Sequence, residues 1–248
     1  MNAGAEPRVR HFTGYGGIPL VADVWEEGGA PPLLLLHAGC QTRRAWQVAG
    51  GRLAALGHHV VAPDLRGHGA SGRPTGSGGY GLDLFANDVR ALVSALDGLP
   101  VVVGASLGGL SALLAAGEEP RAAVRALVLV DVAHRPDPRG LRRIVETMRR
   151  LPHGETWDPR LLESFEHRMD PPGMTERLLG AACRSDVPVL VARGQLSDVV
   201  SEEAAADFCA RVPRARSVEV AGAGHTMAGE RNAAFVDAVL PFLREHAR

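Results

Sequence analysis

The chain has 248 residues, 46% of them hydrophobic and 22% charged, with a formal net charge of −1. That is length enough for one large α/β domain or two small ones, and the composition is ordinary for a globular protein. A charge so near zero provides no field of one sign, which argues against nucleic acid or an anionic membrane as a partner. In chain order, residues 9–13 and 20–25 read as strands joined by the turn Gly14-Tyr15-Gly16-Gly17. Residues 33–37 are apolar on both faces, as a buried parallel strand requires. Residues 44–56 read as a helix stopped by Gly57, residues 60–63 as the next strand, and residues 73–81 as a loop rich in Gly, Ser, Pro and Thr. Leu82, Phe85, Val89, Leu92, Val93 and Leu96 then recur at helical spacing and form one apolar face. Strand 100–104, helix 107–117 and strand 124–131 follow. Beyond a polar middle come strand 187–193, helix 201–211, strand 217–220 and helix 232–246.

From Leu33 onward strands and helices alternate. This predicts an α/β fold, a mostly parallel twisted sheet with helices on both faces. The exception is the stretch 134–186, richer in Arg, Pro and Glu, where Leu141, Ile144, Val145 and Met148, then Leu161, Leu162 and Phe165, then Leu178 and Leu179 keep helical periodicity. We read residues 1–133 and 187–248 as the core and residues 134–186 as a small helical cap. Ligands of such sheets bind beyond the carboxyl ends of the strands, so an insertion at the end of strand 124–131 is placed as a lid.

Gly104-Ala105-Ser106-Leu107-Gly108 directly follows the apolar run Val101-Val102-Val103. A serine flanked by glycines at a strand-to-helix junction sits on a tight turn that exposes its hydroxyl and aims the next N–H at the same spot. His225 lies in Gly222-Ala223-Gly224-His225 after strand 217–220, and Asp198 lies in Gly194-Gln195-Leu196-Ser197-Asp198 after strand 187–193. All three positions fall at carboxyl ends of parallel strands, in the order Ser, Asp, His. Ser106 is the expected nucleophile, His225 the base that takes its proton, and Asp198 the carboxylate that orients the imidazole. Asp131, at the end of strand 124–131, is the alternative acid, because a neighbouring strand end can reach the same ring. The oxyanion donors are expected to be the N–H of Leu107 and an N–H of the loop His37-Ala38-Gly39-Cys40, for which Gly39 is favoured. His37 is read as fixing that loop, and Asp64 to Gly72 as a charged, glycine-punctuated turn with internal hydrogen bonds. Cys40, Met148, Trp157, Phe165 and Met169 are candidates for the pocket wall.

Residues 1–10 lack the apolar core of a signal peptide, and the longest apolar runs, residues 31–36 and 126–130, are too short to cross a bilayer. Cys40, Cys183 and Cys209 are odd in number and fit no metal spacing. The expectation is a cytoplasmic protein with reduced thiols, no metal and no cofactor. Its partner is a small-molecule substrate, with no nucleic acid and no membrane; its oligomeric state is not legible. All 27 basic side chains are arginine, which we read as coding bias.

Taken as a set, these residues resemble the α/β-hydrolase fold superfamily, over residues 9–243. His37, Gln41, Thr42 and Trp46, the elbow through Gly109, and His225-Thr226-Met227-Ala228-Gly229-Glu230-Arg231-Asn232 look like bacterial hydrolases of the esterase, epoxide hydrolase and cofactor-free haloperoxidase branches. The loop after His37 departs from the family, which often begins it with glycine where this chain has Ala38. The resemblance implies aspartate as nucleophile in epoxide hydrolases and haloalkane dehalogenases of this fold, so Ser106 argues for acyl chemistry. The expected activity is hydrolysis of an ester, thioester or lactone of a small, largely apolar molecule through an acyl-enzyme on Ser106. A carbon–carbon bond hydrolase, a perhydrolase or a non-hydrolytic biosynthetic enzyme with the same three residues is the alternative, and a non-catalytic ligand receptor is the alternative of another class.

Overall fold

The computed structural model describes residues 6–26, 31–75, 79–151, 154, 156–168, 173–227 and 232–247. The chain begins with strands β1 (Arg8–Thr13) and β2 (Pro19–Glu26), joined through a short 3-10 turn at Tyr15–Gly17. Strand β3 (Leu33–Leu36) leads through a second 3-10 turn (Arg43–Trp46) into helix α1 (Gln47–Ala55), then β4 (His59–Pro63) and α2 (Leu82–Ser94). Next come β5 (Val101–Ala105), α3 (Leu107–Gly117) and β6 (Ala126–Val130). Three helices follow before the sheet resumes: α4 (Pro138–Arg150), α5 (Arg160–Arg168) and α6 (Met174–Arg184). The chain closes with β7 (Val189–Gly194), α7 (Glu202–Arg211), β8 (Ala215–Val220) and α8 (Asn232–His246). The helix expected over 44–56 is shorter than its pattern, because its first turn is 3-10.

The eight strands form one sheet in the order β1-β2-β4-β3-β5-β6-β7-β8. β1 pairs antiparallel with β2, and β2 antiparallel with β4; every other pairing is parallel. Because strand side chains alternate faces, one strand feeds two cores. Leu34 and Leu36 join Val102, Leu127, Leu129 and Val191 under α2, α3 and α6. Leu33 and Leu35 join Val101, Val103, Val128 and Leu190 under α1 and α8. Helices therefore cover both faces, and the central strands β3, β5 and β6 are buried along their length.

Local signals set the helix ends. Asp137 caps α4 by accepting from the Arg139 N–H at 2.7 Å, with Pro138 at the first helical position. The Ser201 hydroxyl caps α7, accepting from Ala204 N–H at 3.0 Å. Helix α3 is buried nearly all round, and its small residues let neighbours close on it. A Cβ on Gly117 would stand 2.0 Å from the Ala181 carbonyl oxygen of α6. Among the described residues no helix is long and apolar enough to cross a membrane. The parallel strands present their carboxyl ends at one rim, where the loops carrying Ser106, Asp131, Asp198 and His225 lie.

Candidate active site

Ser106 is the single residue between β5 and α3, with φ 45° and ψ −113°. A side chain in this left-handed region is strained, and packing holds it there. A Cβ on Gly104 would lie 2.5 Å from Gly109 N, one on Gly108 would lie 2.6 Å from Leu36 O, and one on Gly109 would lie 2.7 Å from Gly104 O. Strand and helix thus touch backbone to backbone, which is the physical reason for the glycines around the serine. Leu107 is the first residue of α3, so its N–H has no helical acceptor.

His225 Nδ1 lies 2.7 Å from Asp131 Oδ2, with the Asp131 side chain fully buried. Asp131 follows β6 directly at φ 51° and takes two further donors, Gly194 N–H at 3.0 Å and the Ser197 hydroxyl at 2.6 Å. Ser197 is oriented in turn, accepting from Val199 N–H at 3.1 Å and Val200 N–H at 3.0 Å. With a carboxylate at Nδ1, that nitrogen donates and Nε2 keeps its lone pair.

The carboxylate beside His225 is therefore Asp131 rather than Asp198, the residue favoured from the sequence. Asp198 lies beyond Ser197, on the side of the loop that faces α4, where its carboxylate takes the Arg143 guanidinium. Arg143 holds the Asp198 carboxyl below the usual carboxylate range, against a smaller opposing effect of burial. Helix α4 reaches this loop because Gly140 has no side chain; a Cβ there would lie 2.2 Å from Asp198 O.

The loop after β3 is fixed by two buried histidines. His37 Nδ1–H donates to Ala38 O at 2.8 Å, and its Nε2 accepts from Leu65 N–H at 2.9 Å. His68 Nδ1–H donates to Arg66 O at 2.9 Å, and its Nε2 accepts from Cys40 N–H at 3.1 Å. Burial pushes His37 down to about 4 and His68 to about 3, so both are neutral at pH 7 and their lone pairs serve as acceptors. Cys40 N–H is thus occupied, and burial raises its thiol to about 12. The support from His68 was not legible: its turn reads as internally bonded, and that part holds, since Asp64 accepts from Ala70 N–H at 2.9 Å and the Ser71 hydroxyl donates to Asp64 O at 2.7 Å. The added contact spans 28 residues.

Ser106, Asp131 and His225 line one cavity of about 670 Å³, counting the solvent at its mouth. Leu141 and Ile144 of α4, Phe165 of α5 and Leu178 of α6 supply apolar wall, and among the described residues no arginine lines it. Of the wall candidates, Phe165 is there, and Met169 lies outside the described residues. Met148 and Trp157 are buried in the core and are not among the residues that line the cavity. Met148 shares the face of Leu141 and Ile144 but lies further along the helix, and the Trp157 backbone is bridged to His68. Cys40 packs against the core beside the cavity instead of lining it.

Comparison with known proteins agrees with this architecture. An esterase of Mycobacterium tuberculosis is 35% identical over 150 residues, which are 58% of this chain and 46% of that protein, so the chain spans less than half of its length. A 3-hydroxybutyrate-oligomer hydrolase of Cupriavidus necator is 27% identical over 81% of this chain and 85% of its own. The crystal structure of an alpha/beta hydrolase from Novosphingobium aromaticivorans superposes with a TM-score of 0.78 at 26% identity, covering 97% of this chain and 99% of that one. The family model of the alpha/beta hydrolase fold matches residues 31–170, more than half of the chain. With the sheet order and the strand-elbow-helix unit already in place, the chain belongs to the alpha/beta hydrolase fold family.

Proposed function

We propose that this protein is a serine hydrolase that cleaves an ester, thioester or lactone of a small, largely apolar molecule. The observation that carries the reading is the buried Asp131–His225 hydrogen bond in the cavity that also holds the strained Ser106. In this reading His225 Nε2 removes the Ser106 hydroxyl proton as the oxygen attacks the carbonyl carbon. The imidazolium, stabilised by Asp131, returns that proton to the leaving oxygen or sulfur. Water then attacks the acyl-enzyme with His225 again as base, which releases the acid and restores Ser106.

The negative oxygen of each tetrahedral intermediate is assigned to the N–H groups of Leu107 and Gly39. Cys40 N–H is engaged by His68, and Ala38 N–H leans on Gln41 Oε1 at 3.4 Å, which favours Gly39 within its loop. Residues 134–186 act as the cap, with α4, α5 and α6 as the apolar wall. An apolar wall with no arginine among its described residues suits an uncharged acyl group. The esterase named among the relatives supports the reaction class.

A fluorophosphonate probe tests the reading. It is expected to label the wild-type protein at Ser106, and Ser106→Ala is expected to abolish both labelling and turnover of p-nitrophenyl acetate. A folded wild-type sample that stays unlabelled would overturn the covalent mechanism.

A further inference from the structure

Beside the cavity that holds Ser106 lies a second, narrow void with room for about one water molecule. Tyr80, Phe85, Leu107 and Leu161 line it, and Leu82 and Phe165 are walls of both spaces. Leu107 follows Ser106 in the chain, while Ser106 itself lines only the first cavity. The polar groups around it are already paired. The Tyr80 hydroxyl donates to Asp158 Oδ2 at 2.7 Å, and the Ser164 hydroxyl donates to Tyr80 O at 2.7 Å. A polar guest would find no unpaired partner in these groups, whereas an apolar guest gains burial.

The two shared walls differ in kind. Both belong to the same buried core cluster, but Leu82 opens α2, a helix that packs directly against α3. Phe165 reaches in from α5 and lies over the loop of Gly39: a Cβ on Gly39 would meet its ring at 3.4 Å. Its ring is the removable part of the partition.

We propose that Phe165 determines specificity by closing off the second void, and so sets the length of the unbranched alkyl segment the site accepts. The inference rests on the ester-hydrolase reading above. Straight-chain substrates fill the main cavity up to Phe165 and are refused beyond it. Shortening this side chain joins the two spaces, and enlarging it shortens the accepted chain.

The test measures kcat/KM for two ester series on wild type, Phe165→Ala and Phe165→Trp. One lengthens the acyl chain of p-nitrophenyl esters from acetate to dodecanoate, and the other lengthens the alcohol of n-alkyl acetates. In Phe165→Ala the optimum is expected to move outward by about two carbons or more, each added methylene gaining about fourfold in kcat/KM. In Phe165→Trp it is expected to move inward. The series that moves identifies which side of the ester enters the void; profiles unchanged from wild type in both variants and both series overturn the proposal. If the wild type neither turns over esters nor takes the probe, the ester-hydrolase reading is what has failed. The partition is then read from calorimetric binding of 1-alkanols to Ser106→Ala with and without Phe165→Ala. Tighter binding of the longer alkanols only in the double variant supports it, and equal affinities overturn it.

Discussion

Asp131 is held by His225, Gly194 and Ser197, whereas Asp198 is held by one arginine at the surface, and the difference predicts opposite outcomes for two conservative substitutions. Asp131→Asn presents an amide to Nδ1 and disturbs the tautomer that leaves Nε2 free; kcat on p-nitrophenyl acetate is expected to fall by about 10⁴. In the Arg143–Asp198 pair the side chains are 48% and 45% exposed, and such pairs contribute about 0–1 kcal/mol. Asp198→Asn is therefore expected to keep kcat within about fivefold of wild type. A loss for Asp198→Asn as large as that for Asp131→Asn would return the acid role to Asp198. The sequence offered both carboxylates, since each follows a strand that ends at the same rim. What separates them is the left-handed φ of Asp131 and two donors that lie 63 and 66 residues away, which no local pattern contains.

At the scale of elements, glycines of similar sequence context carry opposite expectations. Gly117 ends α3 against the Ala181 backbone of α6, and its would-be Cβ meets the oxygen at 2.0 Å and the carbonyl carbon at 2.5 Å. Backbone cannot turn aside as a side chain can, so Gly117→Ala is expected to cost about 1–3 kcal/mol. At about 2–4 °C per kcal/mol, the loss would be read as a lower Tm. Gly51 lies inside α1 with only Trp25 Nε1 near, at 4.0 Å, so Gly51→Ala is expected to stabilise by about 0.4–1 kcal/mol. Thermal melts of the two variants check both signs together. The elbow was legible because its strand, turn and helix are contiguous. Buried side chains of the helices between β6 and β7 were harder to place. The periodicity of Leu141, Ile144 and Met148 states that they face inward, yet only the tertiary packing decides that the first two face the cavity and the third faces the core.

For the molecule as a whole, the two buried histidines couple folding to pH. His37 and His68 titrate near 4 and 3 when folded, against an ordinary 6.5 for the unfolded chain. Above 6.5 both states leave these rings neutral and stability is level with pH. Below it the unfolded chain binds protons that the folded protein refuses, so stability falls through 6.5 toward 4 and 3 by up to about 1.4 kcal/mol per pH unit for each ring. His58 and His134, also lowered by burial, act in the same direction. The urea midpoint is expected to be lower at pH 5 than at pH 7.5, and equal midpoints would contradict the account. The same rim that holds the chemistry also collects backbone distortion. Among the described non-glycine residues with positive φ, Cys40, Ser106 and Asp131 sit there, and only Asp186 lies elsewhere. Each of the three would relax if replaced by glycine. Directed evolution for heat resistance alone would thus be drawn to Ser106 and Asp131, positions that the proposed reaction uses, so any screen for a hardier variant has to select for activity at the same time.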